Sequence, residues 1–125
     1  MTAPTPTDPL RERAERLEAD YARRQAAALA MGGPAKLAKR AAPGILDARA
    51  RIDRLFDPGT FMETGLFSTS ANPADRDKSP SDGKIAGFGK IEGREAAVVS
   101  NDFTVMGASS GATNGRKIAH VRKVA

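Results

Sequence analysis

Asn101-Asp102-Phe103-Thr104-Val105-Met106-Gly107-Ala108-Ser109-Ser110-Gly111-Ala112-Thr113-Asn114-Gly115-Arg116-Lys117-Ile118 joins a short β-type run to a basic helix through a loop of small residues. Gly107, Gly111 and Gly115 stand four apart in it. Glycine allows positive φ and lets a ligand approach the backbone; Ser109, Ser110 and Thr113 add short hydroxyls. The helix start brings the positive end of a dipole beside Arg116 and Lys117. Such a loop suits contact with a phosphate or other anion, and a tight strand-to-helix turn uses the same residues. It is not a Walker loop, because the glycine spacing differs and Ile118 follows the lysine where Ser or Thr belongs. Nor is it Gly-x-Gly-x-x-Gly.

Upstream, Lys84 to Ile91 and Arg94 to Ser100 are β-type runs separated by Glu92-Gly93, a two-residue hairpin turn. Gly87 and Gly89 interrupt the first run and predict a bulge or a close neighbour. The adjacent Val98 and Val99 predict a strand covered on both faces. Ser68 to Gly83 carries Pro73, Pro80 and little that is apolar, and is expected to be a mobile loop. Phe61 to Phe67 is weakly strand-like. Asp57-Pro58-Gly59-Thr60 is a turn that ends a short helix over Asp47 to Phe56, with Asp47 as cap and Ile52, Leu55 and Phe56 on one face. Lys36 to Pro43 is a basic connector with room for a helical turn.

The chain starts with a Pro/Thr-rich stretch, Met1 to Thr7, expected to be disordered. Asp8 as N-cap with Pro9 behind it then starts a long helix. Leu10, Ala14, Leu17, Tyr21 and Ala28 make a narrow apolar stripe along it, and Gly32-Gly33-Pro34 ends it. A stripe this narrow suits packing across another helix or subunit, or a solvated helix lying on its own domain. At the other end, Arg116 to Ala125 reads as a helix with Ile118, Val121 and Val124 three apart and no stop signal. The fold is therefore expected to extend past these residues. The expected organisation is 1–33 as leading segment and 34–125 as an incomplete domain.

Composition bounds the function. Only 22 of 125 residues are Leu, Ile, Val or Phe, below the roughly 20% at which compact folding becomes doubtful. At about 25 cal/mol per Å² this content hardly offsets the ordering entropy, so the apolar faces are expected to be completed by more chain or by another subunit. There is no cysteine, which excludes disulfides and thiolate metal sites. His120, the single histidine, reads as a surface residue, and no metal site is expected. The +5 net charge is spread among acids, and one tyrosine and no tryptophan leave little for base stacking, so nucleic acid is not an expected partner. No run is long enough to span a membrane and no apolar signal core opens the chain; the cytoplasm is the expected compartment. Glu63, Asp82, Glu92 and Glu95 lie in or near turns, where capping and solubility account for them, and no acid–base pair is formed. Ser109 and Ser110 have no candidate base in the motif.

Four blocks, in order, resemble the carboxyltransferase subunits of biotin-dependent acyl-CoA carboxylases, of the propionyl-CoA and methylcrotonyl-CoA type. They are Ala48 to Glu63, Asp82 to Arg94, Asn101 to Gly111, and Gly115-Arg116-Lys117-Ile118. The resemblance implies an α/β fold: the N-terminal part of a crotonase-like (ClpP/crotonase superfamily) spiral of β-β-α units, preceded by a long helix. It implies transfer of carboxyl from carboxybiotin, carried by a partner, to the α-carbon of an acyl-CoA. The implied partners are acyl-CoA, a biotin carboxylase or biotin carrier subunit, and further copies in a homo-oligomer. The paired N–H groups that stabilise the enolate lie farther along the family sequence than Ala125, so no catalytic residue is assigned here. Proximity to CoA is what the resemblance implies for Gly107, Ala108, Ser109 and Arg116. Gly44-Ile45-Leu46-Asp47, Gly107-Ala108 and Thr113-Asn114 depart from the usual pattern, which bears on acyl specificity and local contacts. Alternatives are an acyl-CoA decarboxylase or transcarboxylase of the same fold, or a non-catalytic segment that completes another subunit.

Overall fold

The computed structural model describes residues 3, 5, 6 and 8–125. The expected disorder at the chain start bears on Met1, Thr2, Pro4 and Thr7, which lie outside them. The order is α1 (Pro9–Leu29), α2 (Pro34–Ala41), α3 (Ala48–Leu55), β1 (Met62–Thr64), β2 (Lys84–Ile91), β3 (Arg94–Asn101) and α4 (Ala112–Val124).

Local chemistry sets most of these bounds. The Asp8 carboxylate accepts from Leu10 N–H at 3.0 Å ahead of Pro9, which starts α1. Asp47 accepts from Ala50 N–H at 2.8 Å and starts α3. Asp57 does more than form a turn: its two carboxylate oxygens accept from Glu92 N–H at 2.9 Å and Gly93 N–H at 2.8 Å. The hairpin turn, with Glu92 and Gly93 both at positive φ, is thereby clipped by a residue more than thirty positions upstream.

The three strands form one antiparallel sheet in the order β1-β2-β3. The register runs unbroken from Lys84↔Asn101 to Ile91↔Arg94, with Glu63↔Gly87 on the other side. There is no bulge; the close-neighbour reading of the glycines holds instead. A Cβ on Gly87 would enter the Met62 carbonyl, and one on Gly89 would lie 2.7 Å from the Phe56 ring. Phe56 stacks on Phe61 at 5.5 Å between ring centres. Ile52, Phe56, Ile85, Ala48 and Met31 form the buried core on this face, joined by half-buried Leu37, Phe61, Ile91, Ala96 and Val98. The alternation of the strand turns Ala86 to the opposite face, where it is fully buried. There α4 packs on β2 and β3 and buries Val121. Val98 and Val99 are each half-buried, as a strand with both faces covered requires.

Several sequence expectations change. The basic connector is a helix, α2. Of Phe61 to Phe67 only Met62–Thr64 is strand, because Gly65 turns away at positive φ. Ser68 to Gly83 is not a featureless loop: it makes 3-10 turns at Pro73–Lys78 and Pro80–Gly83 and buries Ser79, Ser81, Asp82 and Gly83. Phe103-Thr104-Val105 is a turn rather than a β run, since Asp102 accepts from both the N–H and the hydroxyl of Thr104. The basic helix begins at Ala112, four residues before Arg116, and includes Gly115. Leu55 leaves the apolar face and is 46% exposed.

Gly87→Ala and Gly89→Ala should each lower stability by about 1–3 kcal/mol through forced overlap. Gly111→Ala, with open space around it and an extended φ of −154°, should be near neutral. Equilibrium urea unfolding of the three variants checks the ranking.

Candidate functional site

At the end of the sheet where β2 begins and β3 finishes, two left-handed turns are placed together. Ser81, Asp82 and Gly83 have φ of 53°, 47° and 69°; Met106, Gly107 and Ala108 have φ of 46°, 61° and 56°. Each non-glycine residue in this conformation costs roughly 1–2 kcal/mol, so the turns persist only because other groups hold them.

Two lysines supply much of that hold. Lys84, buried at the head of β2, donates from Nζ to the Ala108 carbonyl at 2.6 Å and the Asn101 side chain at 2.9 Å. Lys117, buried on α4, donates to the carbonyls of Ser81 at 2.5 Å and Lys84 at 2.7 Å. Burial lowers its ammonium from the usual 10.5 to about 8, against the opposing pull of the Glu63 and Asp82 carboxylates and with Arg49 adding to the lowering. Asn114 is fully enclosed: its side chain donates to the Asp82 and Ser109 carbonyls and accepts from Gly111 N–H.

The expected anion dock at the start of α4 already contains an anion. The Asp82 carboxylate accepts from Asn114 N–H at 2.9 Å, so the chain caps its own helix. The preceding loop is also wound on itself. Ala108 N–H donates to the Val105 carbonyl, Ser109 N–H to the Met106 carbonyl, and Gly111 N–H to Asn114. Between this loop and the Ser79–Asp82 turn lies a polar cavity of about 200 Å³ lined by Ser70, Asp75, Ser109 and Ser110 among others.

The four residues expected near CoA separate by environment. Gly107 and Ser109 are exposed at the loop surface, with open space where a Gly107 side chain would be. Ala108 points inward and is 8% exposed, its carbonyl engaged by Lys84. Arg116 is exposed on the fifth residue of α4.

Four polar residues do the holding: Asp82, Lys84, Asn114 and Lys117; Lys117, expected beside Arg116 as a charge for an anion, is instead buried and spent on the Ser81 and Lys84 carbonyls. Asp82 was read as a turn or cap residue, and it is a cap, but of a helix 32 residues later. The only signal for the others was their type: an Asn and a Lys three apart on a helix face that also carries Val121. Glu63 also proves more than a soluble turn residue. It forms a two-pronged ion pair with Arg49 at 2.6 and 3.1 Å, with 13% and 20% of the respective side chains exposed. Arg49 Nε is buried with no partner. His120 is exposed. Among the described residues no group of three or more His, Cys, Asp or Glu side chains converges as a metal site would need, and no helix is long and apolar enough to cross a membrane.

Comparison with known proteins identifies the setting. Residues 39–125 match the family described as the carboxyl transferase domain. The chain is 42% identical over 118 residues to the biotin-dependent long chain acyl-coenzyme A carboxylase beta4 subunit of Mycobacterium tuberculosis, covering 94% of this chain and 22% of that one. It is 39% identical over 100 residues to the mitochondrial propionyl-CoA carboxylase beta chain of Mus musculus, covering 76% of this chain and 18% of that one. The chain thus spans about a fifth of the length of the curated relatives it matches. Among solved structures, transcarboxylase 12S with hydrolysed methylmalonyl-coenzyme A bound superposes with a TM-score of 0.76 at 36% identity, over 86% of this chain and 21% of that one. A single-chain, multi-domain long-chain acyl-CoA carboxylase superposes with 0.77 at 31% identity, over 84% and 12%. The fold is that of the opening part of a crotonase-like carboxyltransferase domain, as the four blocks implied.

The lowered Lys117 value fixes the sign of a pH effect. Between about pH 8 and 10.5 the unfolded chain holds the Lys117 proton more tightly than the folded one, so this residue's contribution to stability rises with pH across that window. The neutral amine still has two N–H donors for its two carbonyls. Comparing urea midpoints of the protein and Lys117→Met from pH 7 to 10.5 should show a rise in the former that the latter lacks. Asp82→Ala should lose about 1–3 kcal/mol in the same assay at neutral pH, because it strands a buried N–H.

Proposed function

This chain belongs to the carboxyl transferase domain family, and we propose that it supplies the opening layers of the carboxyltransferase component of a biotin-dependent acyl-CoA carboxylase. The observation that carries this reading is a family match over residues 39–125 together with a shared fold at 31–36% identity. The proposed reaction moves a carboxyl group from carboxybiotin to the α-carbon of an acyl-CoA. The proposed partners are a biotin carboxylase or biotin carrier subunit and further copies of the carboxyltransferase, in the cytoplasm. The proposed organisation keeps 1–33 as a leading segment and 34–125 as the incomplete domain, linked by the hydrogen bond from Gly32 N–H to Thr104 at 3.0 Å.

Carboxybiotin supplies the transferable carboxyl when bound, but the residues of this chain do not fit the task of stabilising the transfer. That task needs converging free N–H groups, and Ala108, Ser109 and Gly111 direct theirs into the loop. No step of the transfer is therefore assigned here. We propose that this chain's part is to shape the CoA side of the site, with Gly107 and Ser109 offering an open surface and Arg116 a guanidinium for a phosphate or carbonyl oxygen. Ala108 would act from behind, as the loop's anchor on Lys84. The likeness to transcarboxylase 12S favours one alternative: transfer between two acyl carriers on the same fold.

In the full-length subunit, Arg116→Ala should raise the acyl-CoA KM roughly threefold to tenfold with kcat little changed, as loss of a partly screened charge contact does. An unchanged KM removes Arg116 from the site. Incubating the full-length subunit with biotin carboxylase, biotin carrier, ATP and labelled bicarbonate should place label in acyl-CoA. Label absent there while acyl-CoA-dependent carboxyl exchange persists would favour the transcarboxylase reading.

A further inference from the structure

Asp102-Phe103-Thr104 joins the leading segment to the loop before α4 through side chains that the proposed reaction does not use. The Thr104 hydroxyl accepts from Gly32 N–H at 3.0 Å and donates to Asp102 Oδ1 at 2.5 Å. Thr104 N–H donates to the same oxygen at 3.0 Å. Asp102 and Thr104 are both buried, and no ion pair among the described residues involves Asp102. The main chain of Asp102 reaches two further places. Its N–H donates to the Gly83 carbonyl at 2.9 Å, and its carbonyl accepts from Val105 N–H at 3.2 Å. The Val105 carbonyl in turn accepts from Ala108 N–H at 2.8 Å. One buried carboxylate and its threonine therefore stand between Gly32, at the α1–α2 junction, and both left-handed turns.

The contact at Gly32 is close. A Cβ there would lie 2.1 Å from the Thr104 carbonyl oxygen, so the junction rests directly on the Thr104 main chain. Arg40 of α2 adds a second hold, its guanidinium 5.2 Å from the centre of the Phe103 ring. On the other side, Met106 and Ala108 keep a left-handed conformation. That conformation costs each of them about as much as one hydrogen bond to a charged group contributes. A loop balanced in this way responds to the loss of a single such bond.

We propose that Thr104 is a positioning residue: through Asp102 it couples the docking of the leading segment to the shape of the Met106–Ser109 loop, and through that loop to the binding of acyl-CoA. The last step rests on the reading of this loop as part of the CoA side; the coupling itself does not. The hydroxyl is the working part. Serine retains it, whereas valine keeps the shape of threonine but leaves Gly32 N–H without an acceptor and Asp102 with one donor fewer. Gly32→Ala reaches the coupling from the other end, by disturbing the junction while the Thr104 hydroxyl is still present.

Amide hydrogen exchange of this chain, followed by NMR, tests the coupling. Thr104→Val and Gly32→Ala should each raise exchange at Val105 and Ala108 roughly tenfold or more relative to the β2–β3 amides. Thr104→Ser should stay within about threefold of the original. Gly89→Ala, whose overlap is with Phe56, is the reference for a global loss of stability and should show no such local excess. Should Thr104→Val fail to fold, Gly32→Ala read in the same way decides. In the full-length subunit Thr104→Val should raise the acyl-CoA KM roughly threefold or more with kcat little changed, and Thr104→Ser should restore it. A rise spread evenly over loop and sheet, or a serine variant no better than valine, would overturn the coupling whatever KM does. If exchange rises locally but only Arg116→Ala raises KM, the link from Thr104 to the substrate falls. A local rise with KM unchanged in both variants would support the coupling and overturn the CoA reading of the loop.

Discussion

Two buried ammonium groups fix the end of the sheet on which everything else is arranged. Lys84 reaches the Ala108 carbonyl and Lys117 reaches those of Ser81 and Lys84. Together they connect β2, the turn before it, the loop after β3 and the helix α4. Hydrogen bonds from a charged donor to buried carbonyls are among the stronger polar contacts, and strength is needed here. Four non-glycine residues, Ser81, Asp82, Met106 and Ala108, lie in a conformation that L-residues avoid. Removing the lysines would leave carbonyls stranded and the two turns with little reason to persist. Desolvation that lowers the Lys117 proton affinity is the cost of that arrangement.

The sheet contributes a different constraint, one of space. Gly87 and Gly89 lie where β1 and the Phe56 ring must approach β2 directly. Small residues on the middle strand allow α3 and the Phe56–Phe61 stack to close on one face while α4 closes on the other. Asp57 then fastens the hairpin from outside, through two N–H groups at its tip. The chain thus forms a sandwich of helix, sheet and helix with few large apolar residues, because glycine, alanine and main-chain hydrogen bonds replace bulk. Its ion pair between Arg49 and Glu63 is enclosed enough that losing either partner would strand a charge.

For function, the consequence is a division of labour. The loop before α4 is internally bonded, its helix start capped by the Asp82 carboxylate. That is the opposite of a phosphate cradle made from free N–H groups. Gly107, Ser109 and Arg116 are exposed on the outside of this loop and helix, while Ala108 is buried behind them.

Much was legible in the sequence because it was local. The hairpin with its Glu92-Gly93 turn, the caps Asp8 and Asp47, and the turn after Phe56 each follow from neighbouring residues whose chemistry acts over a few positions. The four collinear blocks were enough to name the family. What the sequence missed was long-range: that Asp82 would cap a helix 32 residues away, that Asp57 would hold the hairpin, that Glu63 would meet Arg49, and that Ser68 to Gly83 would be buried in part. A carboxylate looks the same on a loop whether it ends in water or against an N–H of another segment; only chain closure decides. The sequence alone settled the leading helix, the helix capped by Asp47, the β2–β3 hairpin and the family they serve. The tertiary structure alone decided which polar groups are buried, because desolvation depends on the neighbours that folding brings, and no local pattern records them.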